Sequence, residues 1–410
     1  MKNCFVILCE YPYITAEAFF ESEIGYLSKS FDNVYLFPIN ASTEDKQTRK
    51  IPYKNVQVYP LGCIFSKMRY PAYITRGVFT RNRKLKISQK GLKRKAVALY
   101  AKGRSRLVFD KIKKIIESNK IDTDNGVFYS YWFTDQAIAA WMLKNYFGNS
   151  AKAVCRAHGY DVYSERNSAG YLPYQDTNLE MLDGVYPCSD DGSRYIADKY
   201  PLYEGKIHTA RLGTVDHGER EYTTNEKIFV TCCSLKALKR ISLFAEAFVK
   251  LADKYEHCRW VCIGDGDELE MIKQIVSRSG VDDRVILMGR LSNTDVIKYY
   301  EENDISYFVN VSTTEGVPVS IMEAMSFGIP TIATNVGGTG EIVSDENGRL
   351  ITPELDEDIL FGILEEEINI GEDEYLKKRR MARNDWEGRS SAENNYIKWC
   401  DILSGNTMEK

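Results

Sequence analysis

The chain has 410 residues, 44% of them hydrophobic, and a formal net charge of −4. That length and apolar content exceed what one compact core holds, so two domains are expected. No 18-residue stretch is free of charged or strongly polar side chains, and the first apolar run, Cys4–Cys9, has six residues. Both are too short for a membrane-spanning helix or a signal peptide, and the expectation is a cytoplasmic protein.

Cys4–Cys9 reads as a buried strand and Ala16–Ser30 as a helix, with Phe19, Phe20, Ile24 and Leu27 on one face. Asn33–Pro38 is the next strand. Residues 67–114 then hold 17 of the 54 Lys and Arg and one acid, Asp110. A segment at about +16 against a body at about −20 calls for an anionic partner. Within it, Lys90, Lys93, Arg94 and Lys95 punctuate a helix whose apolar positions are Leu92, Val97 and Leu99. Strands Val127–Trp132, Ala153–Ala157, Val185–Cys188 and Lys206–Leu212 follow.

A polar stretch, Asp216–Glu226, separates this series from a second one, which places the domain boundary within 213–227. The later strands are Ile228–Cys232, Trp260–Ile263, Val285–Met288, Ile305–Val309 and Thr331–Ala333. The helices are Ser242–Lys254, Glu268–Ser277, Asn293–Glu302 and Pro318–Phe327. Alternation of this kind predicts an α/β chain: two Rossmann-like, doubly wound domains (1–215 and 216–385) facing a cleft, with ligands at the carboxyl ends of the strands. Ten cysteines are scattered without a C-x-x-C, so reduced buried thiols and no metal site are expected.

Three segments can carry chemistry. After strand Ile305–Val309 come a polar turn holding Glu315 and Gly316 and a helix opened by Pro318. Helix-end amides and dipole suit a diphosphate, and Glu323 lies about 7.5 Å further along the axis. Two solvated acids near a helix start are the other reading. Lys239 and Arg240 follow strand Ile228–Cys232 where a loop should open into the cleft, and fixed cations there would stabilise a departing diphosphate; a solvated basic turn is the alternative. In RAHGYD (156–161), His158 ends a buried strand, either at the cleft or as a structural histidine. The Gly264-Asp265-Gly266 turn fails the dinucleotide fingerprint because residue 269 is Leu. Asp265-x-Asp267 reads as turn acids rather than a metal site.

Together these residues resemble the retaining glycosyltransferases of family 4, which have the GT-B fold. Glu315 and Glu323 form the family's E-x7-E within EGVPVSIMEAMSFGIPTIATNVGG. The resemblance implies that Glu315 contacts the donor sugar and Glu323 the ribose. It implies that amides of Gly316, Val317, Pro318, Val319 and Ser320 line the diphosphate and sugar (Pro318 itself has no N–H). Lys239 pairs with the diphosphate. The family's usual Arg is Ser234 here, with Arg240 as a compensating donor-binding cation. Gly264, Asp265, Gly266, Arg290 and Leu291 edge the nucleotide pocket. His158 sits near the donor sugar, and Glu315, His158 and Lys239 form the catalytic set.

AEAFFESEI (16–24) resembles the acceptor loop and first helix, so Thr15, Glu17, Tyr131 and Asp161 are expected on the acceptor side. Residues 386–410 resemble the C-terminal helix that crosses back to the N-domain. The implied activity is retaining transfer of a hexosyl group to a glycan or polyprenyl-diphosphate-linked acceptor in capsule, exopolysaccharide or O-antigen synthesis. The donor is a UDP-sugar rather than GDP-mannose, with no metal or other cofactor required. The leaving phosphate takes the acceptor's proton. Residues 67–114 would dock on an anionic membrane surface, making the protein peripheral to the inner face of the plasma membrane; no nucleic-acid motif is present. A non-catalytic sugar-nucleotide scaffold, an NAD-dependent oxidoreductase and a GT-B epimerase are the rival readings.

Overall fold

The computed structural model describes residues 2–13, 17, 19–63, 68–87, 90–148, 150–220 and 226–405. They divide into two compact units, one running up to Arg211 and resuming at Tyr396, the other covering Leu212–Asn395.

The first unit contains β1 (Asn3–Leu8), α1 (Phe20–Ser30), β2 (Asn33–Pro38), β3 (Val56–Val58), α2 (Tyr70–Phe79) and α3 (Leu92–Ser118). It continues with β4 (Val127–Ser130), α4 (Asp135–Phe147), β5 (Lys152–Ala157), α5 (Gln175–Met181), β6 (Gly184–Pro187) and α6 (Asp190–Lys199). Its strands form a parallel sheet in the order β3-β2-β1-β4-β5-β6. The second unit contains β7 (Lys227–Cys232), α7 (Ile241–Lys254), β8 (Cys258–Ile263), α8 (Leu269–Ser279), β9 (Val285–Gly289) and α9 (Asn293–Glu302). Then come β10 (Tyr307–Asn310), α10 (Val319–Ser326), β11 (Thr331–Thr334), β12 (Gly348–Ile351), α11 (Glu357–Ile368) and α12 (Glu372–Arg389). The order β12-β11-β10-β7-β8-β9 repeats the first topology. α13 (Ala392–Ser404) begins in the second unit and joins the first from Tyr396 onward.

The central strands are apolar throughout because helices cover both faces of a parallel sheet. All six residues of β1 are buried. In each sheet the chain reverses its direction of winding at one strand pair, β1/β4 and β7/β10, leaving a crevice at the carboxyl ends.

The structure corrects several expectations. Lys206–Leu212 is not a strand: Pro201–Lys206 is a 3-10 turn, and only Ile207 bridges to Val185. Past that bridge His208 and Ala210 still donate backbone N–H groups to the Val185 and Pro187 carbonyls (3.1 and 2.9 Å), so the segment runs along β6 without forming a strand of the sheet. β3 and β12, both short, lie at sheet edges and were not anticipated. Trp386 belongs to α12, and the return to the first unit falls at Tyr396. In α3 the expected apolar positions do not form the buried face, for Leu92 is 89% exposed. The buried residues are Ala98, Tyr100, Ala101, Gly103, Arg104, Ser105, Val108, Phe109, Ile112 and Ile116. α2 packs closely on α3, since a Cβ on Gly103 would lie 1.8 Å from the Tyr73 carbonyl oxygen.

α13 covers a buried charge in the first unit. Glu23 of α1 and Arg156 of β5 are both fully buried, with carboxylate and guanidinium 3.6 Å apart. Glu23 Oε1 accepts hydrogen bonds from the Tyr129 hydroxyl (2.9 Å) and the Trp399 indole (2.8 Å). The Arg156 guanidinium lies 4.7 Å from the Trp399 ring centroid. Removing one member of such a pair strands the other charge without water. Glu23→Ala should therefore cost about 3–5 kcal/mol, seen as faster hydrogen exchange at the β5 and α13 amides. Unchanged exchange there would show that the pair does not hold α13.

Candidate functional site

In the second unit the loops after β7 and β10 meet at the carboxyl edge of the sheet. The first loop ends in a 3-10 turn, Ala237–Lys239, and in Arg240, which adopts a left-handed conformation (φ 52°) and caps α7. The second runs from Val311 to Pro318, the N-cap of α10; the helix thus starts one residue later than expected. The two loops are stitched together. Thr313 donates its backbone N–H to the Leu238 carbonyl (2.8 Å). Arg240 donates to the carbonyls of Val311 (2.6 Å) and Pro353 (2.8 Å).

That lattice aims two charged side chains at each other. Lys239 Nζ is 2.5 Å from Glu315 Oε1, and both groups are largely buried. The same oxygen accepts from Ser312 Oγ (2.6 Å) and Asn310 Nδ2 (3.3 Å). Beside them Gly316, Val317, Pro318, Val319 and Ser320 lead into α10, whose first-turn amides have no intrahelical acceptor. Glu323 lies farther along α10 and accepts a hydrogen bond from Asn293 Nδ2 at 2.6 Å. Burial pushes its carboxyl up to about 7, partly opposed by Asn293. Burial, and after it the Glu323 charge, pushes the Cys232 thiol at the end of β7 up to about 12.

Gly264 (φ 152°) and Gly266 (φ 156°) let the loop after β8 abut the loop after β7. A Cβ on Gly264 would lie 1.9 Å from the Cys233 carbonyl oxygen, and one on Gly266 2.5 Å from that of Leu235. Asp265 caps this turn through the Gly266 N–H (2.8 Å). Arg290 is exposed and Leu291 half-buried just past β9. Arg240 is corrected: its guanidinium is committed to carbonyl oxygens, so it is a strut that fixes the Lys239 and Glu315 loops. Among the described residues no group of three His, Cys, Asp or Glu could hold a metal ion.

In the first unit, three expected site residues turn inward. Glu17 (φ 56°) accepts from the backbone N–H groups of Cys9, Glu10 and Tyr11 and from the Trp132 indole, all within 2.9 Å. Asp161 is fully buried and accepts from the amides of Phe133 (2.6 Å) and His158 (2.7 Å); burial pushes it up to about 6. Tyr131 is fully buried. All three shape the loops from within and are corrected as acceptor contacts. Thr15 lies outside the described residues.

His158 is packed among Phe19, Tyr131 and Trp132. Burial, then Arg156, pushes its pKa down to about 3. The ring is therefore neutral, and its Nε2 meets the Tyr131 carbonyl at 3.1 Å. A carbonyl only accepts, so the proton sits on Nε2 and Nδ1 is left as an acceptor. Beside this region, at the β1/β4 crevice, opens a cavity of about 920 Å³. Its walls include Glu10, Asn40, Arg104, Trp132 and Tyr160.

The family model for glycosyl transferases group 1 matches residues 215–382. The match supports a glycosyltransferase. The chain is 22% identical over 283 residues to N-acetyl-alpha-D-glucosaminyl L-malate synthase of Bacillus anthracis, covering 67% of this chain and 71% of that one. It is 24% identical over 224 residues to the GtfA subunit of the UDP-N-acetylglucosamine–peptide N-acetylglucosaminyltransferase of Streptococcus agalactiae, covering 52% of this chain and under half (43%) of that relative. Among solved structures, the lipopolysaccharide outer core galactosyltransferase WaaB aligns over 100% of both chains with a TM-score of 0.69 and 15% identity. A variant of S. aureus TarM, in complex with fondaparinux, alpha-GlcNAc-glycerol and UDP, aligns over 98% of this chain and 100% of that one (TM-score 0.68, 15% identity). The fold is GT-B.

The Glu323 shift has a definite sign. Its folded pKa of about 7 lies above the ordinary 4.5, so between those values the folded chain binds more protons than the unfolded one. This group's contribution to stability therefore falls as pH rises through that window. In a carbon-13 NMR titration of the carboxyls, Glu323 should titrate near pH 7, and Asn293→Ala should move it higher. A midpoint near 4.5 would show that the carboxyl is solvated.

Proposed function

We propose that the protein is a retaining hexosyltransferase that uses a nucleotide-diphosphate sugar, with uridine as the base. The observation that carries this reading is the Lys239–Glu315 pair beside the first turn of α10. A diphosphate at that turn meets the helix amides and the Lys239 ammonium. Once Lys239 turns to the diphosphate, Glu315 Oε1 is left to accept hydroxyl groups of the donor sugar, and ionised Glu323 those of the ribose.

In transfer, the bond from the anomeric carbon to the β-phosphate oxygen breaks. A bond to the acceptor hydroxyl oxygen forms on the same face, and the acceptor's proton passes to the leaving phosphate. Lys239 balances the charge that builds on the phosphate. The neutral His158, with Nδ1 as acceptor, suits orientation of a sugar hydroxyl rather than proton transfer near neutral pH. The acceptor is a glycan, free or lipid-linked, in cell-surface polysaccharide synthesis. The named activities of the relatives, transfers of N-acetylglucosamine or galactose, support a hexosyl donor.

A panel of UDP- and GDP-sugars in a thermal-shift assay tests the donor, because a ligand of the folded state raises the melting temperature. A UDP-sugar should give the largest rise, and Glu323→Ala should lose it. Lys239→Ala should lower kcat/KM about 10- to 100-fold, the ~1.5–3 kcal/mol of a hydrogen bond to a charged group. No shift with any sugar nucleotide would overturn the reading.

The basic segment supports docking on an anionic leaflet. Val78 and Phe79 at the end of α2 are exposed (Phe79 by 77%), as is Leu92 at the start of α3. Arg81, Arg83, Lys86, Lys90 and Lys95 are exposed around them. Apolar tips among cations suit an interface carrying negative headgroups. Sedimentation with anionic vesicles should capture the protein at low salt and release it at high salt, and Phe79→Ala should weaken capture. Equal sedimentation with neutral vesicles would remove the electrostatic reading.

A further inference from the structure

We infer that a pocket between α2 and α3 binds a doubly charged phosphate headgroup carried on an apolar chain, the phosphomonoester or diphosphate end of a membrane amphiphile. The inference rests on the membrane-docking reading and names the headgroup that this surface selects. The pocket holds about 800 Å³ and shares no wall residue with the β1/β4 cavity.

The walls come from one stripe on each helix. Ala72, Thr75, Arg76 and Phe79 recur at the spacing of a single face of α2, and Arg106 and Asp110 stand one turn apart on α3. Thr80 and Arg81, just past α2, complete the wall. The helices meet backbone to backbone: a Cβ on Gly77 would lie 2.0 Å from the Leu99 carbonyl oxygen. With no side chain between them there, Arg76 reaches across the seam to α3.

The charges are arranged for an oxyanion. Asp110 is the one acid of residues 67–114, and it sits between two arginines. Arg76 Nη1 lies 3.4 Å from its Oδ2, and Arg106 donates to both of its oxygens (2.9 and 3.1 Å). A guanidinium carries more N–H donors than one carboxylate takes up, so Arg76 and Arg106 retain donors for a second acceptor. Arg81 is exposed and, among the described residues, bonded to no partner. Three guanidinium groups against one carboxylate give the wall a net charge of +2. A phosphomonoester carries about −1.5 to −2 at neutral pH and several free oxygens, which matches the arginine forks. A phosphodiester carries about one negative charge and leaves the wall under-neutralised.

The apolar side supports a lipid. Phe79 lines the pocket yet is 77% exposed, next to exposed Val78. Apolar side chains at the edge of a basic patch seat among lipid headgroups. A chain attached to a phosphate held by Arg76, Arg81 and Arg106 would leave alongside Phe79. A soluble phosphate compound would gain nothing from that ring.

Isothermal titration calorimetry on the full chain tests the pocket with two matched soluble lipids and inorganic phosphate. The lipids are dihexanoyl phosphatidic acid, a phosphomonoester, and dihexanoyl phosphatidylglycerol, a phosphodiester. Phosphatidic acid should bind at one lipid per chain, about tenfold tighter than the other two probes. Arg81→Ala should weaken it about 10- to 100-fold, and Arg83→Ala, at an exposed cation outside the wall, less than about twofold. Asp110→Asn should tighten it by removing the internal competitor. Glu117→Gln, the same charge change farther along α3, should not. Unchanged melting temperatures would show that the variants fold. Equal affinity for the two lipids, or equal losses in the two arginine variants, would show a general basic surface and overturn the inference. Inorganic phosphate binding as tightly as phosphatidic acid would overturn the lipid assignment. Salt-sensitive vesicle capture without calorimetric binding would refute the pocket and leave docking standing. Binding of phosphatidic acid without vesicle capture would refute docking and leave the pocket.

Discussion

A parallel sheet whose chain reverses its winding has one strand pair from which the connections leave toward opposite faces. The loops after those two strands part, and the ground between them is open at the carboxyl edge. This chain has two such places, β1/β4 and β7/β10, and its candidate chemistry gathers at them. At β7/β10 the two loops carry Lys239 and Glu315. At β1/β4 they carry Glu10 and Trp132. This arrangement brings residues 76 positions apart in the chain to 2.5 Å.

Charge at the β7/β10 site is balanced by construction. Lys239 and Glu315 neutralise each other in a partly buried setting, where an unpaired charge would be costly. On the proposed reading, a diphosphate would give Lys239 a new anionic partner and sugar hydroxyls would donate hydrogen bonds to Glu315. This exchange requires that the loops hold still while the side chains change partners. Arg240 supplies that stiffness by bonding to backbone carbonyls on the opposing loop and beyond β12, at Val311 and Pro353. Arginine suits the task because its planar, permanently charged fork reaches several carbonyls at once.

Much of the fold was legible because buried parallel strands are short, apolar and regularly spaced. The E-x7-E spacing was legible because a helix of known rise carries Glu323 away from Glu315. The failures share a physical cause. Glu17, Tyr131 and Asp161 sit in the loops that follow β1, β4 and β5, where a polar side chain either meets a ligand or satisfies the amides of a tight loop, and composition is the same in both cases. Glu17 and Asp161 satisfy amides, and Tyr131 is core. Arg240 reads as a free cation until the carbonyls around it are seen. The buried face of α3 mixes Ala, Gly, Ser and a paired Arg with Tyr100, Val108, Phe109, Ile112 and Ile116, so its first half carries little of the hydrophobic periodicity that its second half shows. Asn293 announces nothing in sequence, because its role depends on α9 passing beside α10.

α3 shows how a strongly basic segment can belong to a core. Arg104 is buried at the cost of desolvation, which Asp135 and two further acceptors offset. The reward is geometric: its donors hold Asn40, Cys63 and Asp135, from the ends of three different segments, around one guanidinium. Replacing that centre with an aliphatic side chain would fill the volume but leave Asp135 buried without a partner. The positive charge of residues 67–114 is thus of two kinds. One arginine organises the interior wall of a cavity, and the exposed lysines and arginines give the surface its field.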